Sequence, residues 1–304
     1  MVRSYNNLYH GWINLYKDSG LTSNDALRLI KSTFKGSKIG HAGTLDPMAK
    51  GILPIALGEA TKTIPYIHEK NKTYLFAIKF GEQTDTDDAT GKIIGKSDRK
   101  PDIDQIKSVL HDYVGPINQI PPIYSAKKFN GIRSYELARK GIVPDMVSKA
   151  KTVVIENIKL VAMNSDFECT IEVTCGTGTY IRSISKHIGV KLDLCCHVSR
   201  LERTRYGPFN LKNILSIDRL MQLNHDIDNL NMIISPIETV LDDILAVQID
   251  NHDANRLRNG STITFGGNNN EPQLGRVVAK SADKLIAICS LKDTQLQPIR
   301  VFNL

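Results

Sequence analysis

With 304 residues, of which 41% are hydrophobic and 23% charged, the chain has the size and composition of a water-soluble globular protein with room for two domains. Its formal net charge of +7 favours a polyanionic partner, because lysine and arginine side chains beside phosphates release counterions. The chain starts with polar residues and lacks an apolar run of about 20 residues, which argues against a secreted or membrane-bound protein. Its five cysteines include no CxxC pair, which argues against a zinc site. We therefore expect a cytoplasmic protein with reduced thiols and no metal.

The first predicted helix begins after Thr22 and Ser23, which are candidate N-caps. An apolar stripe and a basic stripe recur along it at helical spacing, with Leu27, Ile30 and Phe34 in the first and Arg28, Lys31, Lys35 and Lys38 in the second. The basic stripe runs directly towards the loop that follows, so phosphate contact and a solvated surface both remain open interpretations.

The best catalytic candidate is Asp46, in the loop Gly40–Pro47 with the sequence GHAGTLDP. Glycines on either side of His41 give the backbone freedom, and Pro47 biases Asp46 towards an extended conformation. A carboxylate presented in this way can act as a nucleophile or a base. A lone loop aspartate more often caps a turn or a helix, so the assignment depends on the residues that accompany it.

Three elements follow this loop. Alternating hydrophobic residues at 74–80 predict a strand. The acidic stretch 81–88 lacks the glycine and glutamate positions of a calcium-binding loop, and we interpret it as a surface turn. An apolar face along 103–113 predicts a helix with a structural role.

The segment 121–151 interleaves aromatic side chains with cations, a combination that can stack on bases and neutralise phosphates. It contains Tyr124, Lys127, Lys128, Arg133, Tyr135, Arg139, Lys140, Lys149 and Lys151. We expect an RNA-gripping insertion with a short amphipathic helix at 134–140, and a solvated basic loop is the alternative.

A second alternating strand, residues 169–175, leads into a glycine turn and a helix that is expected to end at Gly189. The single GxG lacks the third glycine of a dinucleotide-binding fold, and no Walker lysine follows it. The turn instead delivers Tyr180 and Arg182 near the mouth of the sheet, where an arginine can pair with a buried carboxylate. The alternative is an arginine on the helix surface.

After about residue 235 the character of the sequence changes. A short helical linker is predicted at 236–243, and five short strands after it suggest a small β-barrel. The strands are predicted at 245–249, 261–265, 276–280, 285–291 and 299–304. We therefore expect a catalytic domain, 1–235, and a small β domain, 240–304.

Five segments, in the same order along roughly residues 11–215, closely resemble the motifs of the TruB-type tRNA pseudouridine synthases. They are GHAGTLDPMAKGILPIALGEATK from Gly40, KTY from Lys72, PPIYSAKKFNGIRSYELARKG from Pro121, CGTGTYIR from Cys175 and RLERTRYGPF from Arg200. The resemblance implies an α+β fold, in which a mixed, largely antiparallel sheet flanked by helices precedes a PUA-like β-barrel. It also implies isomerisation of uridine 55 in the tRNA T loop, without cofactor or metal.

The same resemblance implies roles for the residues at the expected site. Asp46 is the catalytic nucleophile, Tyr74 contacts the target base and takes part in proton transfer, and Arg182 pairs with Asp46 and favours its charged form. Tyr180 and Leu201 line the pocket of the flipped nucleotide.

Further residues are expected to contact the RNA. His41 takes the place that the flipped nucleotide vacates, or else only stiffens its own loop through a hydrogen bond. The cations expected at the substrate are Lys72, Lys127, Lys128 and Arg133.

Two positions depart from the family's pattern. Glu202 stands where relatives usually carry a basic residue, which puts one phosphate contact in doubt. Cys196 stands where small residues such as alanine are usual, and we expect it to fill the core.

The implied partner is tRNA, bound by a monomeric enzyme with no obligatory protein partner. In this family the C-terminal module touches the acceptor stem, a role that Arg256, Arg258 and Lys280 fit. Two alternatives stay open, namely a non-catalytic tRNA-binding or folding factor and a pseudouridine synthase that acts on another RNA. The cleavage route, by attack of Asp46 at C1′ or through a glycal, is open as well.

Overall fold

The computed structural model describes residues 9–223, 227–266 and 274–304. Within these ranges the chain forms a ten-stranded sheet, a five-stranded sheet, two two-stranded ribbons and eight α-helices. The large sheet contains β1 (Gly11–Lys17), β2 (Ile39–His41), β3 (Lys50–Leu57), β4 (Lys72–Phe80), β7 (Gly115–Gln119), β10 (Lys151–Ser165), β11 (Glu168–Cys175), β12 (Cys196–Tyr206), β13 (Phe209–Asn210) and β14 (Leu215–Ser216). The ribbons and the small sheet contain β5 (Glu82–Thr84), β6 (Ile93–Lys96), β8 (Lys128–Phe129), β9 (Ile132–Arg133), β15 (Leu245–Gln248), β16 (Ile263–Thr264), β17 (Leu274–Ser281), β18 (Lys284–Lys292) and β19 (Gln295–Val301).

The helices lie between these strands. They are α1 (Ser23–Lys31), α2 (Ile64–His68), α3 (Ile103–His111), α4 (Ser134–Arg139), α5 (Ile181–Leu192), α6 (Ile217–Gln222), α7 (Ile227–Met232) and α8 (Asn251–Arg258). Short 3-10 helices occupy Gly58–Thr63, Val147–Lys149, Leu211–Asn213 and Ile237–Val240. No helix in the described part of the chain is long and apolar enough to cross a membrane.

The large sheet has the strand order β14-β1-β3-β12-β4-β11-β10-β7, with β2 paired to β3 and β13 to β12. Its pairings are antiparallel except those of β1 with β14 and of β3 with β12. The helices α3 and α5 pack against β10 and β12. This arrangement confirms the predicted mixed, largely antiparallel sheet with flanking helices.

The centre of the sheet follows the alternation that the sequence predicts. In β11 the side chains of Cys169, Ile171, Val173 and Cys175 are fully buried, and the residues between them are half-buried. Both cysteines are free thiols that pack in the core, as expected. The neighbouring strand β4 pairs with β11 on one side and β12 on the other, so the residues of β4 lie deep in the sheet.

The predicted caps of α1 are present. Thr22 Oγ1 accepts a hydrogen bond from Asp25 N at 3.0 Å, and Asp25 Oδ2 accepts one from Thr22 N at 3.1 Å, which together form a capping box. The helix ends at Lys31, so the predicted stripe residue Phe34 lies in the following turn, where it is still buried.

The helix α5 is longer than predicted. It passes through Gly189, ends at Leu192 and is closed by Asp193 in a left-handed conformation with a φ of 55°. A Cβ atom on Gly189 would lie 2.5 Å from Cys196 Sγ. The expected helix end at Gly189 is therefore wrong, because this glycine allows close packing of the helix against β12.

The five strands of the C-terminal sheet are ordered β15-β17-β18-β19-β16, and α8 packs on them. This sheet fits the predicted PUA-like module. The strand predicted at 261–265 is only two residues long, and β19 begins at Gln295, before the predicted 299.

The two sheets share a cluster of buried apolar side chains. Those of the catalytic part include Trp12, Ala42, Ile52 and Tyr206, and those of the C-terminal sheet include Val278, Ile288 and Phe302. Hydrogen bonds flank this cluster, from Lys62 Nζ to Val301 O at 2.7 Å and from Asn303 N to Glu59 Oε2 at 2.8 Å. The C-terminal sheet thus packs directly behind the loop that carries Asp46.

Candidate active site

The loop between β2 and β3 presents Asp46 shortly before the start of β3, with 37% of its side chain exposed. Leu45, one residue earlier, is buried, and its backbone N donates to Ser23 Oγ at 2.9 Å. Gly43 has a φ of +63°, and a Cβ atom there would lie 2.8 Å from the ring of Tyr206. Local sequence therefore provides the turn, and packing fixes where the carboxylate points.

Lys17, at the end of β1, stabilises the same loop by hydrogen bonds to backbone carbonyls. Its fully buried ammonium donates to Ala49 O at 2.5 Å, Leu21 O at 2.7 Å and Asp18 O at 2.9 Å. Burial lowers the pKa of Lys17 to about 8 against the opposing charges of Asp18 and Asp46. Our sequence analysis missed this residue, although its position two residues after Leu15 on an alternating strand was a signal that it faces inward.

Arg182 connects Asp46 to two other segments. Its Nε atom lies 2.9 Å from Asp46 Oδ2 as an ion pair, without the alignment of a hydrogen bond. Its Nη1 atom donates to Thr86 O at 3.1 Å, and Nη2 donates to Tyr124 O at 2.9 Å. The guanidinium is buried, so the interpretation of Arg182 as a helix-surface residue does not hold.

The acidic stretch 81–88 lies against this arginine. Asp88 is buried, and its Oδ2 atom is 3.6 Å from Arg182 Nη1. Asp87 is also buried and pairs with Lys186 at 3.1 Å, while burial raises the pKa of its carboxyl group. The predicted surface turn is therefore wrong in two places. Residues 82–84 form the strand β5, in which Thr84 is buried, and Asp87 and Asp88 are buried because cations from α5 reach them.

The two tyrosines expected at the site both lie near Asp46. Tyr74 is buried on β4, and Tyr180 is the N-cap residue of α5, where Gln119 Oε1 accepts from its backbone N at 2.7 Å. Burial raises the pKa of each phenol, and the charge of Asp46 raises both further. Leu201, on β12, is buried in the same apolar core as Tyr74.

A second buried arginine, Arg203 on β12, was not anticipated. Its Nε atom donates to Ile52 O at 2.7 Å, and its Nη2 atom donates to Gly43 O at 2.7 Å. Its guanidinium lies 4.9 Å from the ring centroid of Tyr206. The Tyr74 hydroxyl faces the same guanidinium, which opposes the effect of burial on the pKa of Tyr74.

Two expected substrate-binding residues lie beside Arg203. The Nδ1 atom of His41 is buried without a hydrogen-bond partner, and burial and then the charge of Arg203 lower the pKa of this imidazole. Lys72 is buried with its Nζ atom 4.3 Å from the ring centroid of Tyr206, and burial lowers its pKa to about 8. The structure thus places Lys72 inside the protein, while the expected cations of the insertion lie on its outside.

The insertion forms the ribbon β8–β9 followed by α4, which confirms the short helix predicted at 134–140. Lys128 and Arg133 are exposed, and Lys127 is half-buried. Cations lie over its aromatic rings, with Arg133 and Arg139 at 5.9 and 5.5 Å from Tyr135 and Lys149 at 5.0 Å from Phe129. Its direct link to the Asp46 site is the bond from Arg182 to Tyr124 O.

The two departures from the family pattern have partners in the structure. Glu202 Oε1 accepts from the Tyr16 hydroxyl at 2.7 Å, and its Oε2 atom lies 3.6 Å from Lys50 Nζ. Glu202 thus partly neutralises Lys50 at the start of β3. Cys196 is buried and donates to Ser185 O at 3.2 Å, in agreement with the expected core position.

Comparisons with known proteins agree over nearly the whole chain. Residues 31–181 match the model for the N-terminal domain of the TruB family pseudouridylate synthases, and residues 182–242 match that for the C-terminal domain of tRNA pseudouridylate synthase B. The tRNA pseudouridine synthase B of Caulobacter sp. (strain K31) is 38% identical, covering 97% of this chain and 96% of the relative. That of Ehrlichia canis is 36% identical, covering 97% of this chain and 98% of the relative.

Solved structures show the same fold. A Cbf5-Nop10-Gar1 complex contains a chain with a TM-score of 0.72 and 24% identity, covering 97% of this chain and 84% of that one. An H/ACA RNP bound to a substrate RNA containing 2′-deoxyuridine contains a chain with a TM-score of 0.73 and 22% identity, covering 97% and 86%.

Proposed function

Because the chain belongs to the TruB family of pseudouridine synthases, we propose that it isomerises uridine to pseudouridine at position 55 in the T loop of tRNA. Relatives named as tRNA pseudouridine synthases align over nearly the whole chain, and the chain is an enzyme of that class acting on tRNA. The observation that carries the finer proposal is the ion pair between the half-exposed Asp46 and the buried Arg182.

In the proposed chemistry Asp46 supports cleavage of the bond between the base and C1′. Its carboxylate attacks C1′ or stabilises the cationic sugar, and the base then rotates and reattaches through C5. Arg182 is held by the carbonyls of Thr86 and Tyr124, so it offers a fixed positive charge on one side of the carboxylate while the other side faces solvent. Neither a metal nor a cofactor is needed for this reaction.

The proposed pocket takes a flipped nucleotide, because the glycosidic bond is inaccessible inside a stacked loop. Tyr74 would lie against the base and assist proton movement, and Tyr180 and Leu201 would complete the walls. His41 would occupy the vacated position in the RNA. Burial lowers the pKa of its imidazole and favours the neutral form, and within the described ranges its buried Nδ1 atom has no hydrogen-bond partner, which argues against stiffening of the loop through this atom.

The rest of the RNA is proposed to bind to cations outside this pocket, of which Lys128 and Arg133 are exposed and Lys127 is half-buried. Lys127, Lys128 and Arg133 of the insertion would contact the T arm. In the C-terminal module Arg258 is exposed and, among the described residues, bonds a neutral side chain, Asn255, while Lys280 lies 3.4 Å from Glu238. We therefore expect Arg258 to contribute more to acceptor-stem binding than Lys280.

The protein is proposed to act as a monomer without an obligatory protein partner. The test must distinguish the proposed function from two alternatives. A non-catalytic tRNA-binding or folding factor would have no use for the buried network around Asp46. A synthase with another RNA substrate would share that network and differ only in the RNA that it accepts.

The test is tritium release from 5-³H-uridine in an unmodified tRNA transcript, measured for the wild type, for Asp46→Asn and with a transcript in which uridine 55 is replaced. Release that requires both Asp46 and uridine 55 supports the proposal. Release that persists without uridine 55 points to another target. No release with intact tRNA binding favours the binding factor.

A further inference from the structure

We propose that Arg203 is a positioning residue of the reaction, which fixes the two ends of the catalytic loop and the Tyr74 hydroxyl at the same time. This inference rests on the proposed function, because it gives Arg203 its effect through Asp46 and Tyr74. It assigns to β12 a second cationic support of the site, in addition to Arg182 on α5.

Arg203 bridges the catalytic loop with two hydrogen bonds, and we call this bridge the staple. Its two bonds, each 2.7 Å long, end on Gly43 O before Asp46 and on Ile52 O after it. Since both donors belong to one rigid, planar group, the separation of the two carbonyls is fixed. The ring of Tyr206 covers the guanidinium at 4.9 Å and restricts its movement further.

These two hydrogen bonds alone do not explain why a charged side chain is buried at this position. The residue is 1% exposed, and in the described ranges no carboxylate forms an ion pair with it. An unpaired buried cation is costly, and a neutral amide could donate to a carbonyl at a lower cost. The nearby Lys72 and His41 are basic groups that cannot offset this charge, and burial, followed by the charge of Arg203, lowers the pKa of each.

The group that benefits from the charge is Tyr74. Tyr74 on β4 and Arg203 on β12 lie directly opposite each other in the sheet, and Cys175 and Asp46 also act on the Tyr74 hydroxyl. Arg203 favours the phenolate form of Tyr74, whereas burial and Asp46 favour the phenol. The guanidinium therefore opposes the effect of burial on the pKa of Tyr74 and restricts the position of its hydroxyl.

The test compares Arg203→Gln and Arg203→Lys with Arg205→Gln, an exposed arginine on the same strand that bonds Gly207 O. With tRNA in single turnover, we expect Arg203→Gln to slow pseudouridine formation about a hundredfold while the tRNA Kd stays within about threefold, since misplacement of a catalytic group by about 1 Å has effects of that size. Arg203→Lys keeps the charge and one carbonyl bond, so it should recover about tenfold of the loss. The Arg205 variant should keep the wild-type rate.

A second readout does not depend on turnover. Hydrogen exchange of backbone amides in residues 43–52 should accelerate in Arg203→Gln and stay unchanged in Arg205→Gln.

If the wild type releases no tritium from any tRNA, the proposed function fails while the staple is still tested by exchange. Wild-type exchange in Arg203→Gln would overturn the staple. A loss confined to tRNA affinity, or an Arg203→Lys variant with the wild-type rate and exchange, would overturn the role in positioning. If Arg203→Gln does not fold, Arg203→Lys decides.

Discussion

The cations beside the catalytic loop and the cations of the insertion are used in opposite ways. Lys17, Arg182 and Arg203 are buried and donate to backbone carbonyls. Lys128 and Arg133 are exposed. Burial strengthens an electrostatic interaction and fixes its geometry, whereas an exposed cation is screened and remains available for a phosphate.

This difference predicts two classes of variant. Changes at the buried cations should slow the chemical step with little effect on tRNA affinity, because these groups hold protein atoms in place. Changes at the insertion should weaken affinity and its salt dependence while the rate at saturation is retained. Variants of both classes test this difference between buried and exposed cations.

Asp46→Asn should abolish pseudouridine formation, because an amide can neither attack C1′ nor balance a cationic sugar. The tRNA Kd should stay within about tenfold of the wild-type value, since the fold and the exposed cations are unchanged. Single-turnover tritium release and filter binding measure the two quantities. Residual turnover in this variant would exclude Asp46 as the catalyst.

Arg182→Met should lower the single-turnover rate by about a hundredfold to a thousandfold, the range seen when one preorganised donor is removed from an active site. The matched control is Arg200→Met, an exposed arginine on β12 that pairs with Glu168. We expect the control to keep its rate. A defect of Arg182→Met that appears only in KM would instead indicate simple RNA contact.

The double variant Lys128→Gln/Arg133→Gln should weaken tRNA binding about tenfold near 100 mM salt and reduce the slope of log K against log salt by about 1 to 2, because two phosphate contacts are lost. The rate with saturating tRNA should be retained. Lys107→Gln on α3 is the control, an exposed lysine near Asp104. An unchanged salt slope in the double variant would show that Lys128 and Arg133 make no phosphate contact in the complex.

The smallest expected effect concerns the pH dependence of stability. Burial lowers the pKa of Lys72 to about 8 from its ordinary value of 10.5. Between these values the unfolded chain binds a proton that the folded chain has released, so the contribution of Lys72 to the free energy of unfolding rises with pH through this window. The wild type should therefore gain stability relative to Lys72→Met from about pH 8 to 10.5 in urea unfolding. Lys79→Met, at an exposed lysine of the same strand, should show no such trend.

Sequence patterns within single segments predicted the parts of the site whose structure depends on neighbouring residues in the chain. The Gly40–Pro47 loop, the strand ending at Phe80 and the start of α5 follow from turn residues and periodicity. The family resemblance then supplied the pairing of Asp46 with Arg182, which the geometry of the structure contains.

The missed residues depend on contacts between distant parts of the chain. Arg203 reaches Gly43 and Ile52 across more than 150 positions. Asp88 has polar neighbours that favour exposure, and its burial requires an arginine from α5. Spacing within one segment carries no information about such partners, because register between strands and helix packing decide them.

The apolar cluster behind the catalytic loop has a consequence for the modularity of the protein. Ala42 and Tyr206, on either side of the loop, pack in one cluster with Ile288 and Phe302 of the C-terminal sheet. Thermal unfolding of the two parts should therefore be a single cooperative transition. Exchange of the C-terminal sheet for an unrelated module by simple fusion at the linker should fail, since the replacement would have to restore the packing against Ala42 and Tyr206.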